Sequence, residues 1–184
     1  MIERVKQIFE AEAAAVRNIP VTQCFAQAVD IIHRQVHEKG GKLVTSGMGK
    51  AGEIAGNIAT TFSSTGTPAT YLHPSEAQHG DLGVLQKNDV MLVISNSGKT
   101  REIVELIELK NHLYAEVPVI VITSQADSPL APKVQCVILT GNPPEVCALG
   151  LTPTTSTTVM TVIGDALVVL LMEKIKFSVV DYAK

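Results

Sequence analysis

The sequence predicts an α/β fold in which a parallel sheet is covered by helices on both faces. Two hydrophobic periods alternate along the chain, short continuous apolar runs and longer runs at helical spacing. The short runs have no polar face, as expected of strands buried on both sides. The runs also alternate strand with helix, which implies parallel pairing and a layer of helices on each face.

The elements follow in order. Ile2, Val5, Ile8, Phe9, Ala13 and Val16 mark a helix ending near Pro20. Thr22 can cap a second helix that carries Phe25, Ala28, Val29, Ile32 and Val36 on one face and stops at Gly40-Gly41. Residues 43–46 read as a strand, 51–64 as a helix and 69–72 as a strand. Residues 73–81 read as a polar loop. Val90, Met91, Leu92, Val93 and Ile94 form the clearest buried strand, followed by a helix over 101–113 with Ile103, Leu106, Ile107 and Leu109. Residues 117–123 are a strand, 128–133 a short helical turn and 136–139 a last strand. A loop over 140–153 leads to a long helix from Thr155 to about Lys174. No linker, repeat or low-complexity tract interrupts this order. We therefore expect one domain over residues 1–184, with N-terminal helices over 1–39 and the sheet core and C-terminal helix over 40–184.

Composition narrows the function. The chain has 184 residues, enough for one well-buried core. Its net charge is −3, and the absence of a basic block argues against nucleic acid. Aromatics make up 4% and Trp is absent, so platforms for stacking bases or sugar rings are scarce. Cys24, Cys136 and Cys147 are odd in number and widely spaced, which fits reduced thiols in the cytoplasm. Glu3, Glu10 and Glu12 make the N-terminus unlike a signal peptide. The apolar stretch over 159–172 contains Asp165 and reads as too short to span a bilayer, so no membrane partner is expected.

Ligands of parallel sheets bind at the carboxyl ends of the strands. Four segments with polar chemistry bear on that edge. The most informative is Ser95-Asn96-Ser97-Gly98-Lys99-Thr100, between a strand and a helix. Gly98 permits a tight turn, the helix start presents free N–H groups to an anion, and Ser95, Ser97 and Thr100 add hydroxyl donors. An ordinary N-capping loop has the same ingredients. A second segment, Ser46-Gly47-Met48-Gly49-Lys50-Ala51-Gly52, has dinucleotide-like glycine spacing. The acidic ribose ligand expected about 20 residues on is not there, since the next strand ends Tyr71-Leu72-His73. Lys50 at a helix start opposes the helix dipole, which favours a role toward an anionic ligand.

The third segment holds His73, Glu76, His79 and Asp81 within nine residues. It matches no strong zinc spacing. His79 suits acid–base work because imidazole titrates near neutrality. The fourth contains Glu145 and then Thr152-Pro153-Thr154-Thr155-Ser156-Thr157-Thr158, whose six hydroxyls in seven residues exceed the needs of a helix cap. Glu102 sits in the first turn of its helix, a common place for a carboxylate of either role.

These residues carry a family resemblance. Ser95-Asn96-Ser97-Gly98-Lys99-Thr100 with Gly47-Met48-Gly49-Lys50 resembles the sugar isomerase (SIS) domain. Together with Ser64-Thr65-Gly66-Thr67-Pro68, the run from His73 to Gly83 and the run from Leu149 to Thr158, the set is similar to the arabinose-5-phosphate isomerases. The resemblance spans about residues 40 to 184. It implies a flavodoxin-like three-layer α-β-α sandwich with a five-stranded parallel sheet. It implies interconversion of D-ribulose 5-phosphate and D-arabinose 5-phosphate, which feeds synthesis of the acid Kdo of lipopolysaccharide or capsule. It implies a homo-oligomer with sites at subunit contacts, and the apolar residues on nearly every face of the 159–172 helix lead us to expect a homodimer or homotetramer.

Catalytic residues map by resemblance to Lys50, Glu102 and Glu145, and His79 joins them as a group able to assist hydroxyl proton transfers. Substrate contacts map to Gly66, Thr67 and His79, and His73 maps to a position reported to take zinc. Ser46, Ser95, Asn96, Ser97, Thr100, Ser156 and Thr157 complete the expected substrate and phosphate contacts. The family resembled often carries regulatory CBS modules and a His-Pro-Gly-Gly-like segment after the last helix. This sequence runs to Asp181-Tyr182-Ala183-Lys184, short of that segment.

The chemistry agrees with these residues. Aldose–ketose isomerisation moves a proton between C1 and C2 through an enediolate, and needs a base and positive charge near the oxyanion. Glu145 is the first choice of base, in a loop walled by Pro143, Pro144, Val146 and Leu149 where burial is expected to raise its pKa. Glu102 is the second. No cofactor is required for this route, and zinc at His73 would be inhibitory or adventitious. The alternatives are an SIS isomerase for 3-hexulose 6-phosphate or sedoheptulose 7-phosphate, or a sugar-phosphate-binding module without catalysis.

Overall fold

The structure is a computed structural model and describes residues 1–182. The domain limit expected at residue 184 therefore falls two residues outside the described residues. Five strands form one all-parallel sheet: β1 (Leu43–Gly47), β2 (Ala69–Tyr71), β3 (Val90–Ile94), β4 (Val119–Thr123) and β5 (Cys136–Leu139), in the order β2-β1-β3-β4-β5. The register runs unbroken from Gly47 beside Ile94 to Thr123 beside Leu139. Strand order reverses between β1 and β3, and a crevice opens beyond the carboxyl ends at such a reversal.

Seven helices complete the described fold: α1 (Ile2–Arg17), α2 (Cys24–Ile32), α3 (Lys50–Ser64), α4 (Pro74–Ala77), α5 (Arg101–Leu113), α6 (Thr155–Ile175) and α7 (Val179–Tyr182). Alternation along the strands divides the core in two. Leu92 and Ile94 of β3 join Ile120 and Ile122 of β4 beneath α1, α2, α3 and α6. Met91 and Val93 join Val119 and Val121 on the other face, beneath α4 and α5. Every residue of β1, β3 and β4 is buried, which is why these runs carry no polar face in the sequence.

Three elements differ from expectation. The second helix leaves α geometry after Ile32 and ends as a π-helical segment, His33–Glu38. The segment read as a polar loop contains the single turn α4, and a 3₁₀ turn, Asp81–Val84, follows it. Turns that short leave no periodicity to detect. The C-terminal helix is 21 residues long with a mean hydropathy of 1.7, so length and composition alone would let it cross a membrane. The reading of that stretch as too short is thus corrected. Its hydropathy comes from packing: Val159, Met160, Ile163, Leu167, Val168 and Leu171 are buried in the core.

α3 and α6 cross closely. Gly164 of α6 sits over Ile58 of α3, and a Cβ at 164 would lie 2.4 Å from Ile58 Cδ1. A side chain there would have to displace the buried Ile58 side chain.

Candidate active site

A cleft of about 430 Å³ opens at the carboxyl edge of the sheet, at the reversal between β1 and β3. Met48, Lys50 and Ala51 supply one wall, from the turn joining β1 to α3. Ser95, Asn96, Ser97 and Thr100 supply a second, from the turn joining β3 to α5. Glu145, Gly150, Leu151, Pro153, Ser156 and Thr157 supply the third, from the segment leading into α6. Eight residues singled out from the sequence thus meet in one place: Lys50, Ser95, Asn96, Ser97, Thr100, Glu145, Ser156 and Thr157.

The serine-rich turn is held from below. Ser95 is buried, and its hydroxyl lies 3.2 Å from that of Thr100. The carbonyl of Asn96 accepts from Ser124 Oγ at 2.8 Å and from Thr123 Oγ1 at 3.1 Å. Gly98 takes φ +61°, and a Cβ there would lie 2.3 Å from Ser128 Cβ. Ser97 stays exposed, and its Oγ accepts the Lys99 N–H at 3.2 Å while its own proton remains available to a ligand.

Glu145 caps α6 with its side chain from outside the helix, ten residues before Thr155 and beyond the N-cap position, Thr154. Its Oε2 accepts the N–H groups of Thr155 at 2.8 Å and Thr154 at 2.9 Å, and the Ser156 N–H lies 3.4 Å from both oxygens. These bonds satisfy the orphan donors of the helix start. Burial pushes the Glu145 carboxyl up, but the Ser156 hydroxyl and the three N–H groups outweigh it and hold it below the ordinary value of 4.5. The expectation that burial would raise this pKa is corrected: the cap bonds win. Of the three N–H groups only that of Ser156 reaches Oε1, at 3.4 Å, so Oε1 is the oxygen less engaged by the helix start.

Two helix starts therefore face the cleft with different tasks. The start of α6 already holds an anion, the carboxylate of Glu145. The start of α5 follows the hydroxyl-rich turn and has no side-chain cap, the arrangement that favours an anion. Lys50 is exposed at the first position of α3.

Other expected residues lie elsewhere. Ser46 is fully buried and its hydroxyl donates to the Leu72 carbonyl at 2.7 Å, so it ties β1 to the residue after β2 and is not offered to the cleft. Gly66 and Thr67 precede β2, at the amino end of the sheet and about 16 Å away along β1 at 3.3 Å per residue. Gly66 lies against the Phe177 ring, and the Thr67 hydroxyl is 3.0 Å from His37 Nε2. Within one chain they cannot share a ligand with the cleft. Glu102, half-buried in the first turn of α5, does not line the cleft.

Neither histidine lines it either. His79 is exposed. His73 precedes α4, with its ring edge-on to Tyr71 at 6.3 Å and its buried Nδ1 unbonded. Among the described residues no three His, Cys, Asp or Glu side chains gather as a metal site, at His73 or elsewhere.

One feature is not apparent from the sequence. Cys147 accepts the Thr152 N–H at 3.3 Å, which closes the turn carrying Gly150 and Leu151. Hydrogen bonds from Thr152, then from the Leu151 and Leu149 backbone, lower its thiol to about 7. The signal is non-local in chemistry, five residues apart with no motif.

The comparisons agree with the fold. The SIS domain family model matches residues 36–170. A proposed phosphosugar isomerase of capsule formation from Bacteroides fragilis NCTC 9343 superposes with a TM-score of 0.98 and 61% identity, covering 100% of this chain and 95% of that one. A protein of Escherichia coli CFT073 solved in complex with arabinose 5-phosphate superposes with a TM-score of 0.91 and 36% identity, over 99% of this chain and 95% of that one. The arabinose 5-phosphate isomerase KdsD of Francisella tularensis is 43% identical over 163 residues, 89% of this chain and 49% of that protein. The chain spans about half the length of the curated relatives it matches. By its sequence and its fold, the chain belongs to the SIS domain family.

Proposed function

We propose that the protein is an aldose–ketose isomerase interconverting D-ribulose 5-phosphate and D-arabinose 5-phosphate. The observation that carries this reading is the meeting of a helix start without a side-chain cap with hydroxyls, a lysine and an oriented carboxylate in one cleft. The similarity to KdsD and to the protein solved with arabinose 5-phosphate supports the choice of substrate.

The phosphate docks at residues 95–100, where Ser97 and Thr100 donate and the α5 dipole favours a dianion. That anchor holds the reacting carbons in register. Glu145 Oε1 removes the C1 proton of the ketose, and the electrons of that C–H bond move to form the enediolate. The same carboxyl returns the proton to C2, giving the aldose. A second proton moves between O1 and O2, so the net change is an isomerisation without oxidation. Lys50 stabilises the enediolate oxygen, worth a few kcal/mol in a water-poor site. Glu102 and His79 are the remaining candidates for proton transfer and would act from a neighbouring subunit or from the cleft rim. The route requires no cofactor.

In this reading the product feeds synthesis of Kdo for lipopolysaccharide or capsule, in the cytoplasm. We also propose a homodimer or homotetramer. Val169 and Leu170 of α6 are exposed, and Gly66, Thr67, His73 and His79 lie away from the cleft of their own chain, as a site completed by another copy would have it.

A coupled assay with ribulose 5-phosphate, 3-hexulose 6-phosphate and sedoheptulose 7-phosphate tests the substrate. Turnover of the pentose phosphate alone supports the proposal, and preference for another ketose overturns it. No turnover of any of the three, with phosphosugar binding retained, points to the non-catalytic module. Light scattering showing a monomer at micromolar concentration overturns the oligomer.

A further inference from the structure

Helix α1 grips the segment that carries Glu145 from two sides. Arg4 Nη2 donates to the Val146 carbonyl at 2.8 Å. Glu12 Oε1 accepts the hydroxyl proton of Thr155 at 2.9 Å. With its proton committed, Thr155 Oγ1 is free to accept, and the Val146 N–H donates to it at 3.2 Å. Both backbone groups of Val146, the residue next to Glu145, are thus held, one directly by α1 and one through Thr155.

Thr155 is central to this arrangement. It is 1% exposed, and its N–H is the shortest of the bonds to Glu145 Oε2. Its hydroxyl has one proton, and the direction in which that proton points decides whether Val146 has an acceptor. An anionic carboxylate can only accept, so Glu12 sets the direction. Glu12 is 143 residues from Thr155 in sequence, and its Oε2 is buried without a hydrogen-bond partner. A buried carboxylate oxygen left unpaired is costly, so the side chain is not there for stability alone.

We infer that Glu12 is a positioning residue for the isomerisation, acting through the Thr155 hydroxyl to hold the Glu145–Val146 peptide and so aim the Glu145 carboxylate into the cleft. This rests on Glu145 being the base. It gives α1, which contributes nothing to the lining of the cleft, a part in turnover.

The test uses the full chain with Glu12→Ala, Glu12→Gln and Thr155→Val, assayed with ribulose 5-phosphate, alongside Glu145→Gln alone and combined with Glu12→Ala. Glu12→Ala should lower kcat about 10- to 100-fold, the range for a displaced catalytic group, with KM unchanged. Glu12→Gln should recover most of that loss, because the amide oxygen still accepts from Thr155. In the Glu145→Gln background Glu12→Ala should cost nothing more, since a residue acting through another has no separate effect. Amide hydrogen exchange over residues 145–156 should quicken in Glu12→Ala and not in Glu12→Gln. Unchanged kcat in Glu12→Ala, equal losses in the Ala and Gln variants, or an additive loss in the double variant each overturns the inference. Full activity of Glu145→Gln overturns the base assignment instead. The exchange measurement then still decides whether Glu12 holds the segment, and unchanged exchange overturns that. If Glu12→Ala fails to fold, Thr155→Val removes the same link while keeping shape, and unchanged kcat in that variant overturns the inference.

Discussion

Thr155 donates its backbone N–H to Glu145 Oε2 at 2.8 Å, so the carboxylate that lines the cleft also caps the helix that starts there. The bond is stronger to the ionised form. Protonating Glu145 weakens the start of α6 and removes the proton acceptor in one step, which couples the pH dependence of stability to that of activity.

The sign follows from the folded pKa, which lies below the ordinary 4.5. The stabilisation is fully present above the unfolded value and is lost as pH falls through the lower folded value. The thermal midpoint of the wild type should therefore exceed that of Glu145→Gln above pH 4.5 and converge on it in more acid solution. The acid limb of kcat/KM should fall below the usual carboxylate range. A constant difference in midpoint between pH 7 and pH 3 would show that the cap bonds do not depend on charge.

Glu145→Gln keeps the size of the side chain and removes the base. We expect kcat to fall by about 10²–10⁴, typical of general base catalysis, while substrate binding survives. Exchange of the C1 or C2 hydrogen with deuterated water should stop. Glu102→Gln is measured in parallel. Exchange lost in Glu102→Gln but retained in Glu145→Gln reverses the assignment, and exchange retained in both moves the base elsewhere, His79 being next.

The strands and helices were legible in the sequence because both hydrophobic periods are strong. Val90 to Ile94 is buried on every residue, so no polar alternation blurs it. The serine-rich turn was equally legible, since its hydroxyls and glycine sit at a strand-to-helix junction that the pattern locates. Ser46 was not. It lies in the same kind of junction, but on a strand covered on both faces its hydroxyl has a carbonyl of the neighbouring strand end to bond. Nothing local separates it from Ser95. The pKa direction of Glu145 was missed for a related reason. Its proline-rich surroundings announce burial, whereas its N–H donors come from residues 9 to 11 positions later.

Ser97→Ala tests the phosphate turn. Ser97 is exposed and makes one bond within the turn, so the fold should persist. KM should rise by the equivalent of about 1–3 kcal/mol, the worth of a hydrogen bond to a charged group. Unchanged KM with a phosphorylated sugar removes Ser97 from the site. Gly98→Ala should be worse in both KM and thermal midpoint, because its Cβ would meet Ser128 Cβ at 2.3 Å. Adding Ser128→Gly should recover part of the loss, and no recovery would assign the defect to the backbone angle.

Cys147 should be the first thiol to alkylate. Its pKa of about 7 leaves much of it as thiolate near neutrality, while buried Cys136 is pushed up to about 12. Iodoacetamide at pH 7.5 followed by peptide mass analysis should find the label on Cys147 before Cys24 or Cys136. A rate that keeps rising with pH past 9 would show an ordinary thiol.

The contact of Gly164 with Ile58 has a consequence for the cleft some turns away. α3 begins with Lys50 and α6 begins at the Glu145 cap, so these two helices carry opposite walls of the site from a shared crossing. A side chain added at 164 would spread the helices where they cross, and helices behave as stiff rods. The displacement would reach their N-terminal ends as a changed gap between ammonium and carboxylate. The gap between the two charges would then answer to a residue that carries no charge and lines no part of the cleft.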